Sequence, residues 1–143
     1  MNEYNKKAIN DVYKNAHIAL QSLKDILPAV KDQKLKKELK EEYDGYVSTI
    51  KEIGEFMEKS KIKPKDINVF KKAAMWTSIK MKTLINSGKN QITEMMIKGT
   101  VMGITELTAM KNESDRLTEG VSSQIEKLLN LEESYEQRLK KFL

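Results

Sequence analysis

An all-α fold, a four-helix bundle with an additional helix in its one long connection, is what the 143 residues predict. Three observations lead there. Apolar residues recur at spacings of three and four along most of the chain, which is the period of an α-helix. Only two prolines and six glycines occur, and aromatic residues make up 6%; long helices tolerate that composition far better than sheets do. The apolar fraction is 39% beside 33% charged. At this length that is enough for one domain with a proper core and solvated outer faces.

The first helix is predicted over residues 3–28. Its stripe is Ile9, Val12, Ala16, Leu20, Leu23 and Leu27. Pro28 cannot donate to the ladder, so the helix should stop near Leu27. A second helix is predicted over 32–60, with Leu35, Leu39, Tyr46, Ile50, Ile53 and Met57 on one face. Gly45 and Gly54 weaken it by roughly 1 kcal/mol each relative to alanine. The run Lys61-Ile-Lys-Pro-Lys65 then breaks the pattern, because Pro64 pushes Lys63 away from helical geometry. Asp66 suits the N-cap of a third helix over 67–85. That helix has Phe70, Ala74, Met81 and Leu84 on one side and Met75, Trp76 and Ile79 on others.

A fourth helix is predicted over 90–110. The nineteen residues Ile92–Met110 hold only Glu94, Lys98 and Glu106 as charges, and four of the eight methionines. Its main face is Ile92, Met96, Gly99, Gly103, Leu107 and Met110; its reverse face is Ile97, Val101 and Ile104. A helix apolar on most of its circumference needs cover on most sides, so this one is expected to be the central, best-buried helix. The last helix, over 115–142, carries Leu117, Val121, Leu128, Leu131, Tyr135, Leu139 and Phe142.

The short link at Lys31–Lys34 favours an antiparallel first pair. If the third helix runs back along the bundle as a crossover, the second and fourth helices lie parallel. The segments Tyr13-Lys-Asn-Ala-His-Ile-Ala-Leu20, Leu39-x-x-x-Tyr43 and Met95-Met-Ile-Lys-Gly-Thr-Val-Met-Gly-Ile104 resemble those of small bacterial ferritin-like proteins of unknown role. The resemblance rests on apolar patterns and implies a ferritin-like up-down four-helix bundle with the extra helix in its crossover. Di-iron members of that class place a Glu on two helices and a Glu-x-x-His on the other two. Here His17 is the only histidine and no Glu-x-x-His occurs, so ferroxidase or oxygenase chemistry of the usual kind is not expected.

The chain has no cysteine, which excludes a disulfide framework, a thiolate nucleophile and thiolate metal sites. The N-terminus lacks the apolar core of a secretory signal. Ile92–Met110 comes closest to a membrane span, and its three charges, two glycines and several threonines argue against that reading. A cytoplasmic protein is the default expectation. No nucleophile–base pair, phosphate loop or zinc pattern is present, so no small-molecule substrate is identified and the reading leans away from an enzyme.

Three candidate sites follow from residue types and placement. Glu42, Glu106 and Glu132 fall within about 50–60° of the centres of their apolar faces. Matching the ends of the second and last helices puts Glu42 and Glu132 at one height, with His17 and Tyr135 within a turn and Glu106 well away. Two carboxylates, an imidazole and a phenol suit a divalent metal such as iron or manganese; the plainer reading has these acids snorkelling or paired with lysine. The second candidate is basic. Between Lys59 and Lys82 eight lysines face one acid, Asp66, for a net +7 against +5 for the whole chain. Lys61, Lys63, Lys65, Lys71 and Lys72, near Phe70 and Trp76, suit nucleic acid or an anionic membrane, or simply a solvated face. The third is a packing surface on Gly99, Gly103, Ile97, Val101 and Ile104, covered by the third helix or by a second copy of the chain.

The expected function is that of a non-enzymatic cytoplasmic bundle without a cofactor, acting through helix-packing surfaces and self-association as a homodimer. The alternatives are a degenerate ferritin-like metal-binding protein, and a weak binder of nucleic acid or anionic membrane.

Overall fold

The computed structural model describes residues 1–65 and 88–143, and those residues form helices and short connections with no strand. Helix α1 spans Glu3–Ile26 and begins where the Asn2 side chain accepts from Asn5 N–H. It ends in a 3-10 turn, Leu27–Ala29, whose second residue is Pro28; a ring nitrogen without a proton cannot extend the α-helical ladder. Helix α2 spans Gln33–Lys59, capped by Asp32, which accepts from Leu35 N–H at 2.8 Å. Helix α3 spans Lys89–Lys111. Helix α4 spans Glu119–Lys140, with the Thr118 hydroxyl accepting from Val121 N–H.

The C-terminus of α2 closes in a Schellman arrangement. Ile62 N–H donates to Met57 O at 2.8 Å and Lys61 N–H to Glu58 O at 3.0 Å. Lys61 takes the left-handed conformation this turn requires, with φ 56°, and Ile62 is buried beyond it. Glycine is the usual residue there, because it has no Cβ to strain.

Contacts between elements give the directions. Glu38 meets Arg138, and Tyr46 meets Glu132, so α2 and α4 are antiparallel. Asn5 bonds Thr118, which brings the starts of α1 and α4 together in parallel. Asn15 bonds Gly103, and Tyr4 bonds Glu113, so α1 and α3 are antiparallel. The order is up, down, down, up. Helices α1 and α2 pack as one hairpin and α3 and α4 as the other, while α1 and α4 each touch all three remaining helices.

One core runs through all four. It holds Ile9, Val12, Leu23, Leu35, Leu39, Ile53, Met57, Leu107, Ile125, Leu128 and Leu139 among others. Each such side chain contributes about 1.5–3 kcal/mol when fully removed from water. The expectation that α3 is the best-buried helix does not hold among the described residues. Only Ile92, Thr93, Met96 and Leu107 of its 23 residues are buried, and Val101 and Met102 are 38% and 62% exposed. Its apolar residues spread around the helix instead of forming a stripe, so the facing helices can cover only part of them. The predicted helix at 67–85, with Lys71 and Lys72, lies outside the described residues.

Candidate functional site

The centre of the bundle contains a polar layer fed by every helix. Helix periodicity aims Glu38, Glu42 and Tyr46 from one face of α2 at α4, and all three are buried, Glu42 to 2% exposure. Helix α4 sends back Glu132, 1% exposed, with Tyr135 and Arg138. Helix α1 contributes Asn15, 6% exposed. Helix α3 contributes Gly103, with the exposed Glu106 at the margin of the layer.

Around Glu132 the bonds run through three helices. Tyr46 hydroxyl donates to Glu132 Oε2 at 3.2 Å. Asn15 Nδ2 donates to Gly103 O at 3.2 Å. Glu132 Oε1 and Asn15 Oδ1 then lie 2.5 and 3.3 Å from the point a Cβ on Gly103 would occupy. Both of those oxygens are buried without a donor among the described residues. Burial pushes the Glu132 carboxyl up to about 8; the Tyr46 bond works against this and the charge of Glu106 adds to it.

A turn away sits a second cluster. Arg138 Nε donates to Glu38 Oε1 at 2.9 Å and Arg138 Nη2 to Glu41 Oε2 at 2.7 Å. Glu42 lies within hydrogen-bonding reach of Glu38, and both burial and that neighbour raise its carboxyl well above the ordinary range. Oε2 of Glu38 and Oε2 of Glu42 are again buried without a donor among the described residues. The Tyr46 and Tyr135 rings meet edge to face at 5.4 Å, bridging the two clusters. Tyr135 fits because Gly45 has no Cβ; one there would fall inside its hydroxyl.

The structure thus buries Glu42 and Glu132 in one layer, but in a different register from the one that matching helix ends suggests. Glu42 is level with Tyr135, and Tyr46 is the residue that meets Glu132. Helix α2 has 27 residues and α4 has 22, so their ends cannot both align, and side-chain interlocking sets the register. Glu106, expected well away, is close enough to act on Glu132. Its own carboxyl is raised by burial and by Asp11, and lowered by an Asn15 hydrogen bond and by Lys14 and Lys7. His17 is half-buried and stacks on Tyr13 with centroids 4.5 Å apart, and burial lowers its basicity. Among the described residues no group of three or more His, Asp and Glu side chains is set to hold a metal ion.

Three asparagines of α1 escaped the sequence reading. Asn5, Asn10 and Asn15 are all buried. Steps of five residues turn about 140° around a helix, so each reaches a different neighbour. Asn5 Oδ1 accepts from Thr118 N–H, and Asn10 Oδ1 from Lys65 N–H, both at 2.8 Å. The available signal was their poor helix propensity inside a long helical pattern.

Of the lysines, Lys61, Lys63 and Lys65 are exposed. They share a cleft of about 430 Å³ with Lys6 and Lys7 of α1, which sequence spacing could not reveal. Lys6 pairs with Glu3 and Lys7 with Asp11. Of the expected packing surface, Ile97 and Ile104 lie partly buried against the core. Gly99 is exposed with nothing described within 4 Å of its would-be Cβ, whereas Gly103 faces inward.

No helix among the described residues is long and apolar enough to cross a membrane. No family model, curated protein or solved structure matches the chain.

Proposed function

We propose that the chain is a non-enzymatic bundle of ferritin-like connectivity that acts through a helix surface and pairs with a second copy of itself. The up, down, down, up order of the helices supports the connectivity. The observation that carries the pairing is the outer face of α3. Val101 and Met102 are exposed there in a helix with few charges. The same face holds Glu94 and Lys98, one charge of each sign. Two identical faces therefore meet without net repulsion, as a twofold dimer requires. Sedimentation velocity across a concentration series tests this. The wild-type chain should pass from monomer to dimer, and a Val101→Lys/Met102→Lys variant of unchanged helicity should stay monomeric. A wild-type chain that is monomeric throughout ends the reading.

A second reading, binding of an anionic polymer such as nucleic acid, is favoured by the lysine cleft, where α1 brings Lys6 and Lys7 to Lys61, Lys63 and Lys65. Binding of a single-stranded oligonucleotide should weaken steeply with salt if several phosphates are contacted. It should weaken further in a Lys61→Ala/Lys63→Ala/Lys65→Ala variant. No binding at low salt removes this reading, and binding to anionic vesicles alone replaces nucleic acid with a membrane surface.

A further inference from the structure

We propose that the core of the bundle is a binding site for two protons, one carried by Glu132 towards Asn15 and one shared between Glu42 and Glu38. This stands apart from the pairing of two copies through α3. It rests on four buried oxygens and their arrangement in two pairs. Glu132 Oε1 and Asn15 Oδ1 flank the same point above Gly103, and neither has a donor among the described residues. Turning the Asn15 amide would not help, because it would withdraw Nδ2 from Gly103 O and set an oxygen against that carbonyl. Two oxygens that only accept repel one another, and leaving either unsatisfied in a buried place costs the full desolvation of that group. One proton on Glu132 Oε1 resolves both. The chain then reads Tyr46 hydroxyl to Glu132, Glu132 to Asn15 and Asn15 to the Gly103 carbonyl, and it ties α2, α4, α1 and α3 together.

The second pair follows the same logic. Helix α2 turns Glu38, Glu41 and Glu42 towards one cation among the described residues, Arg138. Arg138 satisfies Glu38 Oε1 and Glu41 Oε2, leaving Oε2 of Glu38 and Oε2 of Glu42 buried with no donor among the described residues. A proton on Glu42 donates to Glu38 and removes one of three negative charges from beside one positive charge.

Burial opposes the ionisation of both acids and outweighs the facing groups that favour it, Tyr46 at Glu132 and Arg138 at Glu42. Glu132 sees Tyr46 from α2, Asn15 from α1 and the charge of Glu106 from α3. Asp11, Lys14 and Lys7 of α1 bear on Glu106 in turn. Glu42 sees Glu38 on its own helix, and Tyr135 and Arg138 on α4. Arg138 favours its ionised form, and burial outweighs it.

A proton suits the site because it needs no room. Hard cations such as magnesium or calcium require six or more oxygen ligands, and among the described residues no group of three or more His, Asp and Glu side chains is set to hold one. A folded state that holds a proton the unfolded state releases loses stability as pH rises. For Glu132 the loss begins above the ordinary carboxyl range and ends near pH 8. Each proton lowers the folding constant about tenfold per pH unit within that window.

The test is a carbon-detected NMR titration of the full chain with glutamate carboxyl carbons labelled, from about pH 4 to about pH 10. Two carboxyls should stay protonated at pH 7. Glu132→Gln should remove one of those signals and Glu42→Gln the other, since each amide can donate where the acid did. Each variant should also flatten the fall in the folding constant between about pH 5 and pH 7 by a factor of about ten per pH unit. The idea is overturned if every glutamate of the wild-type chain ionises near pH 4. A stoichiometric divalent metal whose chelation shifts the Glu132 carboxyl would overturn it too. If a variant fails to fold, the wild-type titration alone decides.

Discussion

At the scale of single residues, the two glycines of α3 separate a functional constraint from a merely permissive position. A Cβ at Gly103 would meet Glu132 Oε1 at 2.5 Å and its Cδ at 3.2 Å. That carboxyl is buried and cannot swing into water. Gly103→Ala should therefore destabilise the fold by about 1–3 kcal/mol, the usual range for overpacking, despite the better helix propensity of alanine. Gly99→Ala meets nothing described within 4 Å and should stabilise by up to about 1 kcal/mol. Urea denaturation of the two variants reads both signs, and equal shifts would mean Glu132 is not held against Gly103. His17 responds to pH in the opposite sense from the buried acids. Burial lowers its pKa, so the folded state disfavours the imidazolium. Its contribution is lost as pH falls through the ordinary histidine range near 6.5. The buried acids lose theirs as pH rises above the ordinary carboxyl range, so the two effects oppose one another below about pH 6.5, and above it the loss from the acids stands alone and stability should fall with pH.

At the scale of helices, local rules account for the ends. Pro28 ends α1, and Asp32 starts α2. The left-handed residue closing α2 is a lysine, Lys61, and the strain of its Cβ is released by glycine. Lys61→Gly should stabilise the chain by roughly 0.5–1 kcal/mol in thermal or chemical denaturation, the larger backbone entropy of unfolded glycine offsetting part of the gain. A loss of stability would show that the lysine side chain does more there than occupy the turn. Helix α3 teaches a different lesson. Its scarcity of charge predicted burial, yet Val101 and Met102 are exposed. Composition measures how apolar a helix is, whereas burial depends on how many neighbours face it.

At the scale of the whole molecule, the helices share one core, and its middle layer is polar. Inward placement of Glu42 and Glu132 was legible from helix periodicity, since both lie near the centre of an apolar stripe. Their partners were not legible. Asn15 and Tyr46 are 31 residues apart in sequence, Tyr46 and Gly103 57, and Asn15 and Gly103 88, yet in space they meet at one carboxyl. The proposed proton binding and the proposed pairing would use opposite sides of α3, where Gly103 faces inward and Val101 is exposed.

By itself the sequence determined the helical class, the approximate helix ends, the apolar faces and the two acids that point inward. These depend on residues within a few turns of each other. Only the tertiary structure decided the register of α2 against α4, the arrival of Lys6 and Lys7 beside Lys61, the exposure of Val101 and Met102 on α3 and the burial of four oxygens that find no donor among the described residues. Those depend on how one helix is rotated and slid against another. A slide of a few residues, about 1.5 Å each, changes every partner while leaving the periodicity of each helix untouched.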